Sequence, residues 1–382
     1  MHPFRHGAAL AALALAGITA VATAQNTSLN PNLSLIGQPA MRWSDDASDP
    51  ARKRPRLEVG ETEIMLDAPL NPYARGLATI TFGEEGAEVE EAYFTLLRGL
   101  PGGLAIKGGK YRSGFGRLNG AHGHTYPFAE RFRVLASYLP GEESLNEPAV
   151  QVSELIALPG DGSLTLSADW LQGDSFRLER TSTGAGNDPL EPPGAGDRAL
   201  EPRAAGLGRL AAFVPVGDRS GVELGFSALE GTNNVAAATR TTVLGGDLKA
   251  KLWNSASSYL LVQGEYLALD RDRADWDVAG ARYVSSNERP SGGYVFADCN
   301  WATRYNAGAS FERFAPPSAG GAWDQAVGVF AGLALMEETT VFRIAWEHYQ
   351  AGAPAGDPLP DPVQSFTLRV VYSMGPHKAH QF

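Results

Sequence analysis

The sequence predicts an all-β chain closed into an antiparallel transmembrane barrel of about 16 strands. Three observations carry that expectation. Between residues 33 and 374, segments of about 10 residues alternate apolar and polar positions, the period of a pleated strand. The links joining them alternate between short turns and long loops, the pattern of a barrel with turns at one end and loops at the other. Beyond the N-terminus no stretch reaches the roughly 18 apolar residues of a spanning helix, so crossing falls to strands. Lipid offers no partner to a sheet edge, and a spanning sheet must therefore close on itself.

Taken along the chain, strands are expected near 33–43, 57–69, 73–83, 88–98, 103–112, 149–158, 163–172, 206–214, 219–229, 240–252, 257–270, 292–302, 305–313, 324–335, 339–350 and 363–374. The last is the clearest: Phe366, Leu368, Val370, Tyr372 and Met374 share one face, Thr367, Arg369 and Ser373 the other. Leu244, Leu248 and Leu252 likewise oppose Asp247, Lys249 and Lys251, and Phe342, Ile344 and Trp346 oppose Arg343 and Glu347. Short links fall at 70–73, 101–103, 159–162, 217–220, 254–257, 303–305 and 337–339. Long ones fall at 44–56, 113–148, 173–205, 230–239, 271–291, 314–323 and 351–362, and only the link around Gly86 breaks the alternation. Tyr73, Phe82, Tyr93, Trp170, Trp253, Tyr259, Tyr266, Trp301 and Trp346 suit interfacial aromatic girdles. A water-soluble β-sandwich with one wet face is the competing architecture, and the alternating loop lengths argue against it.

Composition narrows the function classes. The chain has 382 residues with 44 Gly, which favours turn-rich β structure, and 32 Lys plus Arg against 43 Asp plus Glu. The net charge of -11 excludes a nucleic-acid partner, which needs a basic stripe against phosphates. Cys299 is the single cysteine, so neither an intramolecular disulfide nor a Cys-built zinc site is available. Arg5 with His2 and His6, the apolar run Ala8–Val21 and Ala22-Thr23-Ala24 read as a secretory signal peptide over 1–24, with 25–382 forming the barrel. The chain ends on Phe382, the kind of terminal aromatic that barrel assembly machinery reads, with Pro376 interrupting the strand pattern before it. No G-x-S-x-G, H-E-x-x-H or Walker loop is present, so no enzyme is expected.

Candidate functional residues cluster in and after the fifth strand. Lys107, Lys110, Arg112 and Arg117, followed by Arg131 and Arg133, are expected to form a positive lumen wall opposite Glu61, Glu63, Asp67 and Glu91. Opposed walls would set a transverse field that orders polar solutes. The 113–148 loop carries Phe115, Tyr126, Phe128, Phe132, Leu135 and Tyr138, too apolar for a solvated tip, and is expected to fold inward as a constriction. His122-Gly123-His124 puts two imidazoles within reach of one divalent metal, the only cofactor considered, with Glu130 or Asp45 as further ligands. Hydrogen bonding of both histidines to backbone or water is the alternative. Glu84, Glu85, Glu88, Glu90 and Glu91 read as a solvated acidic rim, and 173–205, Gly-, Pro- and acid-rich from Ser182 on, as a mobile external loop.

The stretch Glu88–Arg131 (EVEEAYFTLLRGLPGGLAIKGGKYRSGFGRLNGAHGHTYPFAER) resembles the phosphate-selective porin O and P superfamily. With NPNLSLIG at Asn30–Gly37 and GPHKAH at Gly375–His380, it is similar to a bacterial outer-membrane branch of that fold. The resemblance implies a sixteen-stranded barrel of outer-membrane porin type, an aqueous lumen and a homotrimer. Phosphate specificity does not follow, because those porins depend on a ladder of Arg and Lys and the complement here is mixed and acidic. The function expected is passive diffusion of small hydrophilic solutes or ions. Outer-membrane lipids, lipopolysaccharide and the barrel assembly machinery would be its partners. The alternatives are a soluble exported β-rich binding protein and a plugged barrel serving metal-related uptake.

Overall fold

The computed structural model describes residues 31–84, 86–141, 144–178, 203–235, 237–277, 279–317, 320–335 and 339–375. The expected signal peptide, Phe382, the His377 and His380 pair, Glu85 and most of the 182–205 stretch lie outside the described residues. Sixteen antiparallel strands close into one barrel. They are β1 (Asn32–Gly37 continued by Ala40–Ser44), β2 (Arg56–Glu58 continued by Thr62–Pro69), β3 (Ala74–Gly83) and β4 (Gly86–Leu96). Next come β5 (Ala105–Arg112), β6 (Asn146–Ala157), β7 (Ser163–Leu171), β8 (Ala205–Val216), β9 (Ser220–Asn234) and β10 (Thr239–Trp253). The remainder are β11 (Tyr259–Asp277), β12 (Arg282–Glu288 continued by Ser291–Trp301), β13 (Tyr305–Phe314), β14 (Asp324–Leu335), β15 (Thr340–Gln350) and β16 (Val363–Met374). Each expected strand is present. The ladder closes where β1 pairs with β16, in the registers Leu35↔Met374 and Ser44↔Ser365.

Alternation dictates what each face meets. Leu210, Leu224, Phe226, Leu244, Ile344 and Phe366 point outward and are exposed on the isolated barrel, as a lipid-facing belt requires. Among the described residues no helix is long and apolar enough to cross a membrane. Tyr73, Phe82, Trp170 and Trp301 are exposed at or beside strand ends, and Tyr266 is exposed midway along β11. Three expected girdle residues face the interior instead: Tyr93, Tyr259 and Trp253, the last directly opposite Tyr259 in the ladder and on the same face as buried Val243. Tyr93 shares parity with inward Glu91, and its ring packs 3.8 Å from the Lys107 ammonium. Tyr259 shares parity with buried Leu261 and lines an internal cavity.

The expected 271–291 loop is mostly strand. Arg271–Asp277 pairs residue for residue with Arg282–Glu288, carrying the β11–β12 hairpin beyond the barrel rim. Cross-strand partners hold it: the Arg271 guanidinium meets Glu288 at 2.6 Å, and Trp276 packs edge-on against Tyr283. These pairs supply a ladder where the sequence pattern predicts a long link.

Candidate functional site

The segment between β5 and β6, residues 113–145, leaves the wall and runs across the barrel interior. Its neck is pinched: Ser113 donates to the Leu145 carbonyl at 2.8 Å, and the Asn119 amide donates to both Ser113 and Leu145 carbonyls. Within it lie the tight turn Gly123–Thr125 and one short helix, α1 (Arg133–Tyr138). Its contacts reach strands all round the barrel. The backbone N–H groups of Arg117 and Leu118 donate to Glu265 on β11 at 2.8 and 2.9 Å, and that of Val134 to Glu312 on β13 at 2.7 Å. Arg133 pairs with Glu347 on β15, Arg343 of β15 donates to the His124 carbonyl, and Glu130 meets Arg42 on β1.

Apolar packing holds this segment against one side of the interior. Phe115, Leu118, Tyr126, Phe128, Phe132, Val134, Leu135 and Tyr138 are buried, together with the inward residues Leu207, Leu229, Val243, Leu267, Leu269, Phe296 and Phe330 of the wall. Phe132 stacks on Tyr294 with ring centroids 3.9 Å apart, and Phe128 meets Phe296 at 5.1 Å. Glycine makes the fit possible at two positions. A Cβ on Gly245 would stand 2.7 Å from the Phe115 ring, and one on Gly116, at φ 59°, would collide with the Glu265 carboxylate.

The opposite side stays polar. A cavity of about 1840 Å³ opens at the long-loop end and is lined by Arg42, Glu58, Glu61, Lys110, Arg112, Glu130, Arg131 and Arg369 among others. Beneath the turn, at the short-turn end, lies a smaller space of about 130 Å³ with Asp298, Asn306 and Arg343 in its wall. Gly123 lines the upper space and His124 and Thr125 the lower, so the Gly123–Thr125 turn stands between them.

Of the sequence-predicted site residues, Lys110 and Arg112 line the large cavity, while Lys107, Arg117, Glu63 and Glu91 lie off it. Nor do positive and negative residues form opposed walls. Glu63 on β2, Glu91 on β4 and Lys107, Lys110 and Arg112 on β5 lie on three strands of the one wall β2–β5. Lys107 sits between the Tyr93 and Tyr111 rings, at 3.8 and 4.0 Å. Arg117 crosses to the other side, where it pairs with Glu223. Cations of the cavity that sequence reading passed over include Arg42 and Arg369, each within reach of Glu130.

The histidines meet a different partner from those expected. Glu130 binds arginines and Asp45 accepts from the Gln364 N–H, so neither joins His122 and His124. Instead His124 Nδ1 lies 3.0 Å from Glu63 Oε1, and His122 Nε2 lies 3.0 Å from Glu91 Oε2. A β-bulge assembles this cluster. In the β3–β4 register Thr79 faces Glu91 and Ile80 faces Val89, leaving Glu90 as the extra residue. Consecutive glutamates therefore both turn inward and are buried, rather than forming part of a solvated rim; Glu88 does stay exposed. Arg112 Nε donates to Glu90 at 2.7 Å, and Thr81 donates to its other oxygen at 2.8 Å. Burial pulls the His122 pKa down, but the surrounding carboxylates of Glu90, Glu91 and Glu63 outweigh it and raise it to about 10.

No family model matches the chain. An uncharacterized protein of Aquifex aeolicus (strain VF5) is 34% identical over 258 residues, 64% of this chain and 51% of that protein, so the chain spans about half the length of the curated relative it matches. Among solved structures, the outer-membrane channel DcaP of Acinetobacter baumannii superposes with a TM-score of 0.56 at 12% identity, over 90% of this chain and 97% of that one. The anion-selective porin of Comamonas acidovorans gives 0.56 at 8% identity, over 90% and 100% of the two chains. OmpF of Salmonella typhi gives 0.53 at 10%, over 91% and 99%. The chain has the 16-strand barrel fold of outer-membrane porins.

Proposed function

We propose that the protein is an outer-membrane channel through which small hydrophilic solutes or ions diffuse down their gradient. The observation that carries this reading is the polar cavity of about 1840 Å³ that the inward segment leaves open, chiefly along β16 and β1–β5. An apolar outer belt suits a barrel in lipid, and a charged lumen groove supports the reading of a path for water and solute. The Gly123–Thr125 turn is the constriction, and the Arg42–Glu130–Arg369 group is the charged filter on its wet side. Mixed charge there favours solutes carrying both signs, or modest ion preference, over a dedicated anion ladder. The resemblance of Glu88–Arg131 to the phosphate-selective porin O and P superfamily supports kinship with selective rather than general porins. The chemistry is diffusion with no covalent step, and a homotrimer is the assembly proposed.

Single-channel recording of the detergent-purified barrel in a planar bilayer tests the reading. Stable ohmic steps are expected, with a reversal potential in a salt gradient that shifts toward cation preference in Arg42→Ala and Arg369→Ala. Silence from a heat-modifiable, folded barrel would overturn it.

A further inference from the structure

Glu63, His122 and His124 are buried, and one ligand atom from each lies within 4.8 Å of the others. Two polar atoms in this group, His122 Nδ1 and Glu63 Oε2, have no hydrogen-bond partner, and they face each other across 3.4 Å. A buried polar atom left without a partner costs stability, so a matched pair of them points to something that belongs between. The other nitrogen of His122 is occupied by Glu91, at 3.0 Å. That is the arrangement in which an outer carboxylate orients a metal-ligating imidazole and leaves its second nitrogen to the ion. Charge agrees: with both imidazoles neutral, as ligands must be, the three carboxylates of Glu63, Glu90 and Glu91 stand against two cations, the Arg112 guanidinium on Glu90 and the Lys107 ammonium near Glu91.

We propose that Glu63, His122 and His124 bind a divalent transition ion of the zinc class, with Glu91 as the positioning residue for His122. Two imidazoles and a carboxylate are a donor set suited to zinc, and three protein ligands leave a coordination position for water or a passing solute. The ion ties the Gly123–Thr125 turn to β2 and so fixes the inward segment at its narrowest point. The proton His122 carries in the metal-free cluster leaves on binding, since a ligand imidazole must be neutral. This goes beyond the channel reading and does not depend on it: a barrel that binds zinc but passes no current would keep the site and remove the channel.

The test is equilibrium dialysis of the tag-free, detergent-folded full chain against Zn²⁺, with folding checked by heat-modifiable gel mobility. One Zn²⁺ per chain is expected. Glu63→Gln, His122→Asn and His124→Asn should each weaken binding beyond about 100-fold, and Glu91→Gln by about 10- to 100-fold, the range for an outer partner. Wild-type barrel with no stoichiometric Zn²⁺, or ligand variants that fold and bind as wild type does, would overturn the site. Should the variants fail to fold, zinc-edge X-ray absorption of the wild-type protein decides: imidazole scattering from two ligands is expected, and its absence contradicts the proposal.

Discussion

Along β8–β14 the inward positions include Leu207, Leu229, Val243, Leu267, Leu269 and Phe296, buried beneath the crossing segment together with polar side chains such as Asp247, Glu265 and Glu312. Along β16, β1, β2 and β5, on the other side, they are Arg369, Arg42, Glu58 and Arg112, and these line a cavity. Both sides are built from the same alternating strands and carry the same apolar outer belt. What differs is the inner face. One half of the lumen is a hydrophobic core in miniature, and the other is a wet groove. Closing a barrel therefore leaves the inner face free to be either solvent-like or core-like, and here each half is chosen separately. The dry half holds the segment, and the segment's far edge shapes the wet half.

The comparison can be broken most strongly by removing the element that divides the two halves. Replacing 114–144 with a short Gly-Ser linker should raise single-channel conductance several-fold and expose the apolar wall. An unchanged conductance would mean the segment does not limit the path. Next in size are substitutions within each half, read as urea midpoints of the folded barrel. Phe128→Ala should cost about 3–5 kcal/mol, since its ring packs against Tyr126, Phe132, Phe296 and Phe330. Arg42→Ala, in a half-exposed ion pair on the wet side, should cost about 1 kcal/mol or less. Equal losses would erase the distinction.

Between these stands Glu265→Ala. It removes the acceptor of the Arg117 and Leu118 N–H groups and of the Tyr294 hydroxyl, and should cost roughly 1–3 kcal/mol for the donors left buried. Faster cleavage of the 113–145 segment by added protease would report the same loosening. The smallest effect is electrical: Glu130→Gln should shift the reversal potential slightly toward anions, opposite in sign to Arg42→Ala, with little change in conductance.

Strand positions were legible because period-two alternation is a local property. Phe366 to Met374 needs no knowledge of its partners to read as a strand. The crossing segment was legible in kind, since Phe115, Phe128, Phe132 and Leu135 are too apolar for a loop in water. The dry half was not read, although a signal existed. On β11 the inward face carries Leu261, Leu267 and Leu269 beside Gln263 and Glu265, more apolar residues than an aqueous lumen would demand. The histidine pair was visible at its own i, i+2 spacing, but Glu63 lies 61 positions from His124 and is brought to it only by barrel closure. Glu90 read as a rim residue because the bulge that turns it inward beside Glu91 depends on the register with β3, which no run of β4 encodes.

The most direct test of a half-dry lumen asks which positions water-borne reagents reach from inside the pore. In a Cys299→Ser background, single cysteines are placed at Arg369 on the wet side and Leu229 on the dry side, and a charged methanethiosulfonate reagent is applied during planar-bilayer recording. The account predicts stepwise block of the current with Arg369→Cys and no effect with Leu229→Cys. Block at Leu229→Cys, or none at Arg369→Cys in a conducting barrel, would contradict it.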